Sequence, residues 1–439
     1  MCSKLFKMKK VGIIITFSFL LLALNGLSQI DRINDSKYLS DRKMDDDSYK
    51  QISDSAIISI FRTISPQIFN APELPRFTFI GKDNKFYCGI GGFIKGTVSY
   101  DFSNPIDNPM YFITNDIPVD CPHANKGFYQ MSAGSSNIFL NFVAMPTSKY
   151  QVGGYINFNF ENENYGLSLQ YAYLIFGGFM FGYNYSTFCN EEAVPPTIDL
   201  EGPPTLPLIL NTILNYKFNL KNWQFCLGIE TPLTSATLTE NTRLSHSTYP
   251  TVPAYIQYGW NNSSSMVRLS GVFRTMQYEN TSNGDTKYES GVGVQISGKI
   301  DVDGKFITYF QGLAGNGISS FTQDMCDSNY DLVPDGDNEN RLKKVKLWGG
   351  MIGLQYNISE RLMMSASYGY EHFYAKKYST GVIPWNEQTR YLNYATANIF
   401  CNLTDNITLG FEYINGIKNT MGGLTKNNNR IQAMMQFNF

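Results

Sequence analysis

The chain has 439 residues with Phe 31, Tyr 29 and Trp 4, and its 35 Lys and Arg against 37 Asp and Glu give a formal net charge of −2. Its charged fraction of 16% falls well under the about 25% of an average soluble chain. This apolar and aromatic content excludes a disordered polymer, and balanced charge without a basic stripe excludes a nucleic-acid binder. The one long apolar run, Val11 to Leu24, is shorter than the ~20 residues a spanning helix needs, so a helical membrane protein is excluded too.

At the N-terminus Lys4, Lys7, Lys9 and Lys10 precede that run, and Asn25, Gly26, Leu27, Ser28 and Gln29 follow it. A positive start, a short apolar centre and a small, polar exit form a secretory signal peptide, so residues 1–28 are expected to be removed on export. Cys2 lies ahead of the run, so no lipoprotein cleavage site is indicated. Removing the four Lys and no acid moves the mature chain to a net charge of about −6. Residues 29–85 hold Asp45, Asp46 and Asp47 and one helical spacing at Ile52, Ile57, Ile60, Phe61 and Ile64. They predict a periplasmic segment with a short helix within 48–65, too short for a coiled-coil seam. The later cysteines, Cys88, Cys121, Cys189, Cys226, Cys326 and Cys401, show no CxxC and no Cys/His cluster, so no zinc site or other cofactor is expected. An even number in an exported chain permits disulfides, while Cys88, Cys226 and Cys401 sit in strand-like stretches where a small buried apolar side chain belongs.

From about residue 86 the chain alternates. Phe86, Cys88, Ile90, Ile94, Val98 and Tyr100 share one phase, and Lys95, Thr97, Ser99 and Asp101 the other. Tyr288, Val292, Val294 and Ile296 oppose Glu289, Gly293, Gln295 and Lys299, and at the end Ile431, Ala433, Met435 and Phe437 oppose Arg430, Gln432, Gln436 and Asn438. Period two means a strand with one apolar and one polar face, as found in a soluble sandwich or an outer-membrane barrel. Stretches of roughly 10 to 17 residues exceed the mode of about 5–6 in globular domains and suit a tilted bilayer-crossing strand.

Sixteen strands are predicted, at 86–102, 135–145, 149–160, 165–175, 177–188, 206–219, 222–230, 252–260, 264–278, 286–300, 304–314, 343–357, 360–374, 387–403, 406–417 and 427–439. Short connections at Pro146–Ser148, Phe176, Leu220–Lys221, Asn261–Ser263, Asp301–Asp303, Ser359 and Thr404–Asp405 alternate with long ones at 103–134, 189–205, 231–251, 279–285, 315–342, 375–386 and 418–426. Only Glu161–Asn164 is short where a long one is due. Short turns on one rim, long loops on the other and an even strand number predict an all-β fold: a transmembrane antiparallel up-and-down β-barrel over 86–439. At this strand number the interior keeps an aqueous channel. A C-terminal strand ending in Phe439 also fits an outer-membrane insertion signal.

Residues 172–204 carry a Ser186-Thr187-Phe188 strand end and then Pro195, Thr197, Ile198, Asp199, Glu201, Gly202 and Pro203 in a Pro-x-Thr-Ile-Asp-x-Glu-Gly-Pro pattern. This resembles the DcaP-like family of trimeric outer-membrane porins, and the opening Cys88–Phe102 and closing Arg430–Phe439 strands are similar to that family as well. The resemblance implies a homotrimer in the Gram-negative outer membrane that passes or takes up small, often anionic, solutes. Where the family commonly carries Arg, in its second strand and just before the Ala-Tyr pair of its fourth, this chain has Asn137 and Gln170. The loss of two lumen cations counts against an organic-anion preference.

Charge is patterned for a constriction. The loop Cys189–Thr205 holds Glu191, Glu192, Asp199 and Glu201 with no Lys or Arg, stiffened by Pro195, Pro196, Pro203 and Pro204. It follows the fifth strand, where porins fold a loop inward. Lys95, Lys217, Arg268, Arg274 and Lys299 lie in the polar phase, with Asn137 and Gln170 beside them. Acids facing bases across a bore would set up a transverse, ion-selecting field; solvated outer acids or acids tying down N–H groups are the plainer alternative. Glu230, Glu289, Glu371 and Glu412 share the lumen phase, which leaves the sign of selectivity open. Asp327, Asn329, Asp331, Asp335, Asp337, Asn338 and Glu339 have a spacing that could hold Ca²⁺, although a solvated acidic loop is the commoner outcome.

Three rival functions remain. An outer-membrane hydrolase has only His123, His246 and His372 to work with, none in a motif with Ser and Asp, so an enzyme is not expected. A non-conducting adhesion barrel would use the long loops. A hydrophobic-substrate transporter would use Phe93, Phe139 and Tyr155, which fall in the polar phase.

Overall fold

The computed structural model describes residues 54–439 except 73, 83 and 120–125. The predicted signal peptide, Cys121 and His123 lie outside the described residues. Among the described residues one α-helix, α1 (Asp54–Ile64), precedes sixteen wall strands: β1 (Phe86–Asp101), β2 (Asn137–Ala144), β3 (Val152–Asn162), β4 (Gly166–Phe176), β5 (Phe179–Tyr185), β6 (Leu210–Leu220), β7 (Trp223–Glu230), β8 (Val252–Trp260), β9 (Ser265–Asn280), β10 (Asp285–Asp301), β11 (Phe306–Asn316), β12 (Lys346–Asn357), β13 (Leu362–Tyr374), β14 (Thr389–Asn402), β15 (Ile407–Thr420) and β16 (Thr425–Asn438). Each pairs antiparallel with the next, and β16 closes on β1 from Phe93↔Asn438 to Asp101↔Arg430. The structure is therefore a closed antiparallel sixteen-stranded barrel.

The seam is finished at both ends. Past Asp101↔Arg430 the two side chains form a fully buried pair, with Arg430 Nε 2.5 Å from Asp101 Oδ1 and Nη2 2.9 Å from Oδ2. At the other end the Gly92 N–H donates to the Phe439 carbonyl at 3.0 Å, and beyond it the short strand Phe77–Ile80 covers the edge of β1, from Phe77↔Ile90 to Ile80↔Tyr87. A sheet in lipid tolerates no open edge, because hydrocarbon offers no partner to a free N–H or C=O.

The two phases separate as the alternation requires. Leu269, Phe273, Val292, Val294, Ile296, Trp348, Ile352 and Leu354 are exposed on the outer face, while Ser270, Gln295, Ser297, Gln311 and Ser367 are buried on the inner one. At the long-loop rim Trp348, Tyr370, His372, Tyr374 and Tyr391 form a continuous ring cluster, with centroids 4.6–6.3 Å apart. These amphipathic rings suit the membrane interface, and His372 is one of them, with its Nδ1 2.9 Å from the Tyr370 hydroxyl.

Several sequence expectations are revised. The second strand has an outer portion, Phe128–Ser132, which pairs with the upper part of β1 beyond a break at 133–136, so its long loop ends earlier than predicted. Two connections counted as long, 279–285 and 418–426, are tight turns at 281–284 and 421–424, because β9, β10, β15 and β16 reach further into them than predicted. The 315–342 loop contains a hairpin, Leu332–Asp335 with Asn338–Lys344, turned at Gly336 with φ 63°. The predicted loop 189–205 spans 186–209. Finally, α1 does not stand free in the periplasm: Ile57, Phe61 and Ile64 are buried against Tyr87, Phe139, Val143, Tyr155 and Tyr173 on the inner face of β1–β4.

A test of the outward phase is Val294→Arg, midway along β10. A cation facing hydrocarbon near the bilayer midplane should cost about 2–4 kcal/mol, read as a lower urea midpoint for the barrel in lipid, whereas a solvent-facing position would show almost no change.

Candidate functional site

The bore is occupied from above by loop 186–209, whose residues 193–199 and 201–208 are buried. Its root is held by Glu230 of β7, which accepts the Thr187 N–H at 2.6 Å and the Ser186 hydroxyl at 2.8 Å. The tip crosses to the far wall. The Pro196 carbonyl accepts Ser365 of β13 at 2.7 Å and Asn398 of β14 at 3.3 Å, and the Asp199 N–H donates to Glu412 of β15 at 2.7 Å. The wall is hollowed to receive it: a Cβ on Gly353 would lie 2.6 Å from Pro195, and one on Gly369 2.7 Å from Pro203.

The four predicted loop acids divide into two pairs. Asp199 and Glu201 do not face water. Asp199 Oδ1 accepts the Phe112 N–H at 2.8 Å, and Oδ2 accepts the Tyr394 hydroxyl at 2.9 Å and the Gly202 N–H at 3.0 Å. Asp199 ties the loop down, which is the plainer alternative, and Glu201 is buried with it. Burial and the charges of Asp324, Asp199 and Asp116 push the Glu201 carboxyl well above the usual range, and burial pushes Asp324 up to about 8. Asp324 belongs to loop 317–345 and accepts the Thr114 N–H of loop 102–127 at 2.6 Å.

Glu191 and Glu192 form the other pair, in a short turn at 191–193, and both keep partial access to solvent. Glu192 Oε1 lies 3.7 Å from Arg268 of β9. Arg268 is held rigidly: it donates to the Cys189 carbonyl at 2.8 Å and to Gln257 at 2.7 Å, and its guanidinium lies 4.1 Å from the centroid of the Tyr255 ring. Burial pushes the Glu191 carboxyl up to about 7, against the opposing pull of the Arg268 and Lys217 charges. Lys217 is exposed and Lys299 half-exposed on the same inner face. Acids from the loop therefore face bases from β9 and β6, where Glu191, Glu192 and Lys217 keep access to solvent.

Of the other predicted wall residues, Lys95, Arg274 and Asn137 are sealed. Lys95 is buried, with Nζ 3.4 Å from the Ile198 carbonyl. Arg274 pairs with Asp331 at 3.1 Å, both fully buried, and so anchors loop 317–345. Asn137 and Asn157 exchange amide hydrogen bonds at 2.7 and 3.0 Å. Gln170 is half-buried beside Glu161, at 3.5 Å, where a register shift between β3 and β4 turns it inward. The calcium constellation is dispersed: Asp331 is spent on Arg274 and on the Ser320 and Ser235 N–H groups, and Asp335 on Lys343. Among the described residues no group of three acids, His or Cys could hold a metal. Sequence reading missed the role of Gly353 and Gly369, and of Tyr111, whose hydroxyl donates to Glu161 at 2.7 Å. Inward-phase glycines clustered in β12 and β13 were the available signal.

The profile of the DcaP outer membrane protein family matches residues 81–439. The chain belongs to that family, and it is an outer-membrane β-barrel. Its structure is similar to the outer membrane channel DcaP of Acinetobacter baumannii, at 20% identity and a TM-score of 0.69, over 82% of this chain and 99% of that one. It is also similar to an anion-selective porin from Comamonas acidovorans, at 10% identity and 0.51, over 81% and 100%, and to the trimer form of OmpT from Vibrio cholerae, with the same four values. No curated protein matches the sequence.

The buried acids predict how pH acts on the loops. A carboxyl whose pKa is raised on folding stabilises the docked state fully below its ordinary range and loses that contribution as pH climbs through the folded value. Loops 186–209 and 317–345 should therefore hold tightest in acid and loosen as pH passes about 8. Limited proteolysis between about pH 6 and pH 9 checks this; cleavage that is unchanged or falls with pH would contradict it.

Proposed function

We propose that this member of the DcaP outer membrane protein family is a porin. It passes small hydrophilic solutes through the bore, with charge selection where Glu191 and Glu192 of the inward loop face Arg268 and Lys217, and with Lys299 below them. The supporting observation is the juxtaposition itself: Glu192 Oε1 lies 3.7 Å from an Arg268 that is fixed by three contacts of its own. Fixed charges of opposite sign across a narrow passage orient and select ions without binding them tightly enough to stop flow. Phe93, Phe139 and Tyr155, which would have served a hydrophobic-substrate route, are buried, the last two in the cluster beneath α1.

The native assembly is read as a homotrimer. The trimer form of OmpT shares this barrel, and the outer face of the seam offers a groove lined by Gly96, Val98 and Ala433 between Met131 and Met435, shallow enough for a second wall to approach.

The double change Glu191→Gln and Glu192→Gln should shift the reversal potential in a salt gradient towards anions, and Arg268→Gln should shift it towards cations. Because Glu191 titrates at about 7, the wild-type preference should move towards anions on acidification through that value, and the double variant should lose much of this dependence. Identical reversal potentials in all three proteins would remove the loop from the selectivity filter.

A further inference from the structure

The short-turn half of the bore holds a segment that the barrel wall does not need. α1 rests three side chains, Ile57, Phe61 and Ile64, on inward-facing aromatics of β1–β4, chiefly Phe139, Tyr155 and Tyr173. The Tyr173 hydroxyl donates to the Ile64 carbonyl at 2.6 Å, and the Asn141 amide donates to the Ser65 hydroxyl at 3.0 Å. The wall is relieved beneath the helix: a Cβ on Gly153 would lie 2.5 Å from Ile64 Cδ1, and one on Gly89 3.0 Å from Phe61. The chain then leaves this side and crosses the bore. Ile68 packs against the cluster of Val194, Leu206 and Met351, and the Phe69 ring meets Phe400 of β14 edge-on at 5.1 Å. Tyr173 stands on β4 and Met351 on β12, eight strands apart in a ring of sixteen and so on opposite walls.

We propose that residues 54–72 are a displaceable plug: an intramolecular ligand whose apolar helix face occupies an aromatic cradle in the lumen, and whose following span bars the exit below the Glu191 and Arg268 constriction. Three features make it a plug instead of a piece of wall. Its backbone takes no part in the barrel ladder, so it can leave without exposing a sheet edge. It leaves the β6 and β10 side of the bore open, where Lys217 stays exposed and Lys299 half-exposed. It lies outside residues 81–439, the part matched by the family profile. The plug also touches the filter, since the Gln67 N–H hydrogen-bonds the Glu191 carboxylate.

The inference rests on the porin reading, and the test separates the two. Single-channel current is compared for the mature chain and for the same chain lacking residues 54–72. A synthetic peptide of residues 54–72 is then added to either side of the bilayer. Removal should raise conductance roughly twofold or more, as expected when half a bore is cleared, and the peptide should lower it again from the short-turn side only. In the full chain, the paired change Ile64→Cys and Gly153→Cys should hold conductance low when oxidised and release it on reduction, and Phe61→Asp should mimic deletion. Equal, non-zero conductance with and without the segment, unaffected by peptide or by reduction, would overturn the plug and leave the porin standing. No current from any of these proteins would overturn the porin reading and the plug with it.

Discussion

Everything in this molecule depends on the sheet meeting itself. A strand in hydrocarbon must give every N–H and C=O a partner, and the pairing of β16 with β1 supplies the last set, from Phe93↔Asn438 to Asp101↔Arg430. The buried Arg430–Asp101 pair fixes where that register stops, because slipping it would strand a guanidinium with no counter-charge. The same carboxylate accepts the Ile106 N–H at 2.9 Å, and Arg430 donates to the Asn108 carbonyl at 2.8 Å. Closure of the wall and entry of loop 102–127 into the mouth are thus one arrangement.

Once closed, the barrel has an inner face of amides, hydroxyls, glycines and a few ions, and most of that face is used for docking. Ser365, Asn398 and Gln311 of the wall hydrogen-bond loop carbonyls. Acids of the wall take loop N–H groups, as Glu412 does for Asp199 and Glu230 for Thr187. Buried carboxylates can do this only with N–H and O–H donors around them or with a proton of their own. The interior is therefore largely a sealed polar scaffold, with Glu192 and Lys217 keeping access to solvent beside it.

The selectivity site we propose lies beside that docked scaffold. Asp199 and Glu192 come from one short stretch of chain, and both are acids in the same loop. One is consumed by four donors, while the other faces a guanidinium with partial access to solvent. Lys95 and Lys217 have the same strand phase and chemistry, yet one lies beneath the loop and the other in the open. What distinguishes the members of each pair is how far the loop reaches, and that is set by glycines and hydroxyls more than a hundred residues away.

The closed barrel, its sixteen strands and the alternation that divides inner from outer face along most of the wall were legible in the sequence. The reason is local: alternation is a property of consecutive residues, and a bilayer forces it to persist for the full height of the wall. The sealed or open state of each lumen residue was not legible, nor was the seating of α1 against Phe139 and Tyr155. Those depend on surfaces brought together by closure of the ring, where Gly353 meets Pro195 and Ile64 meets Gly153. No periodicity along the chain records which distant hollow a given side chain will fill.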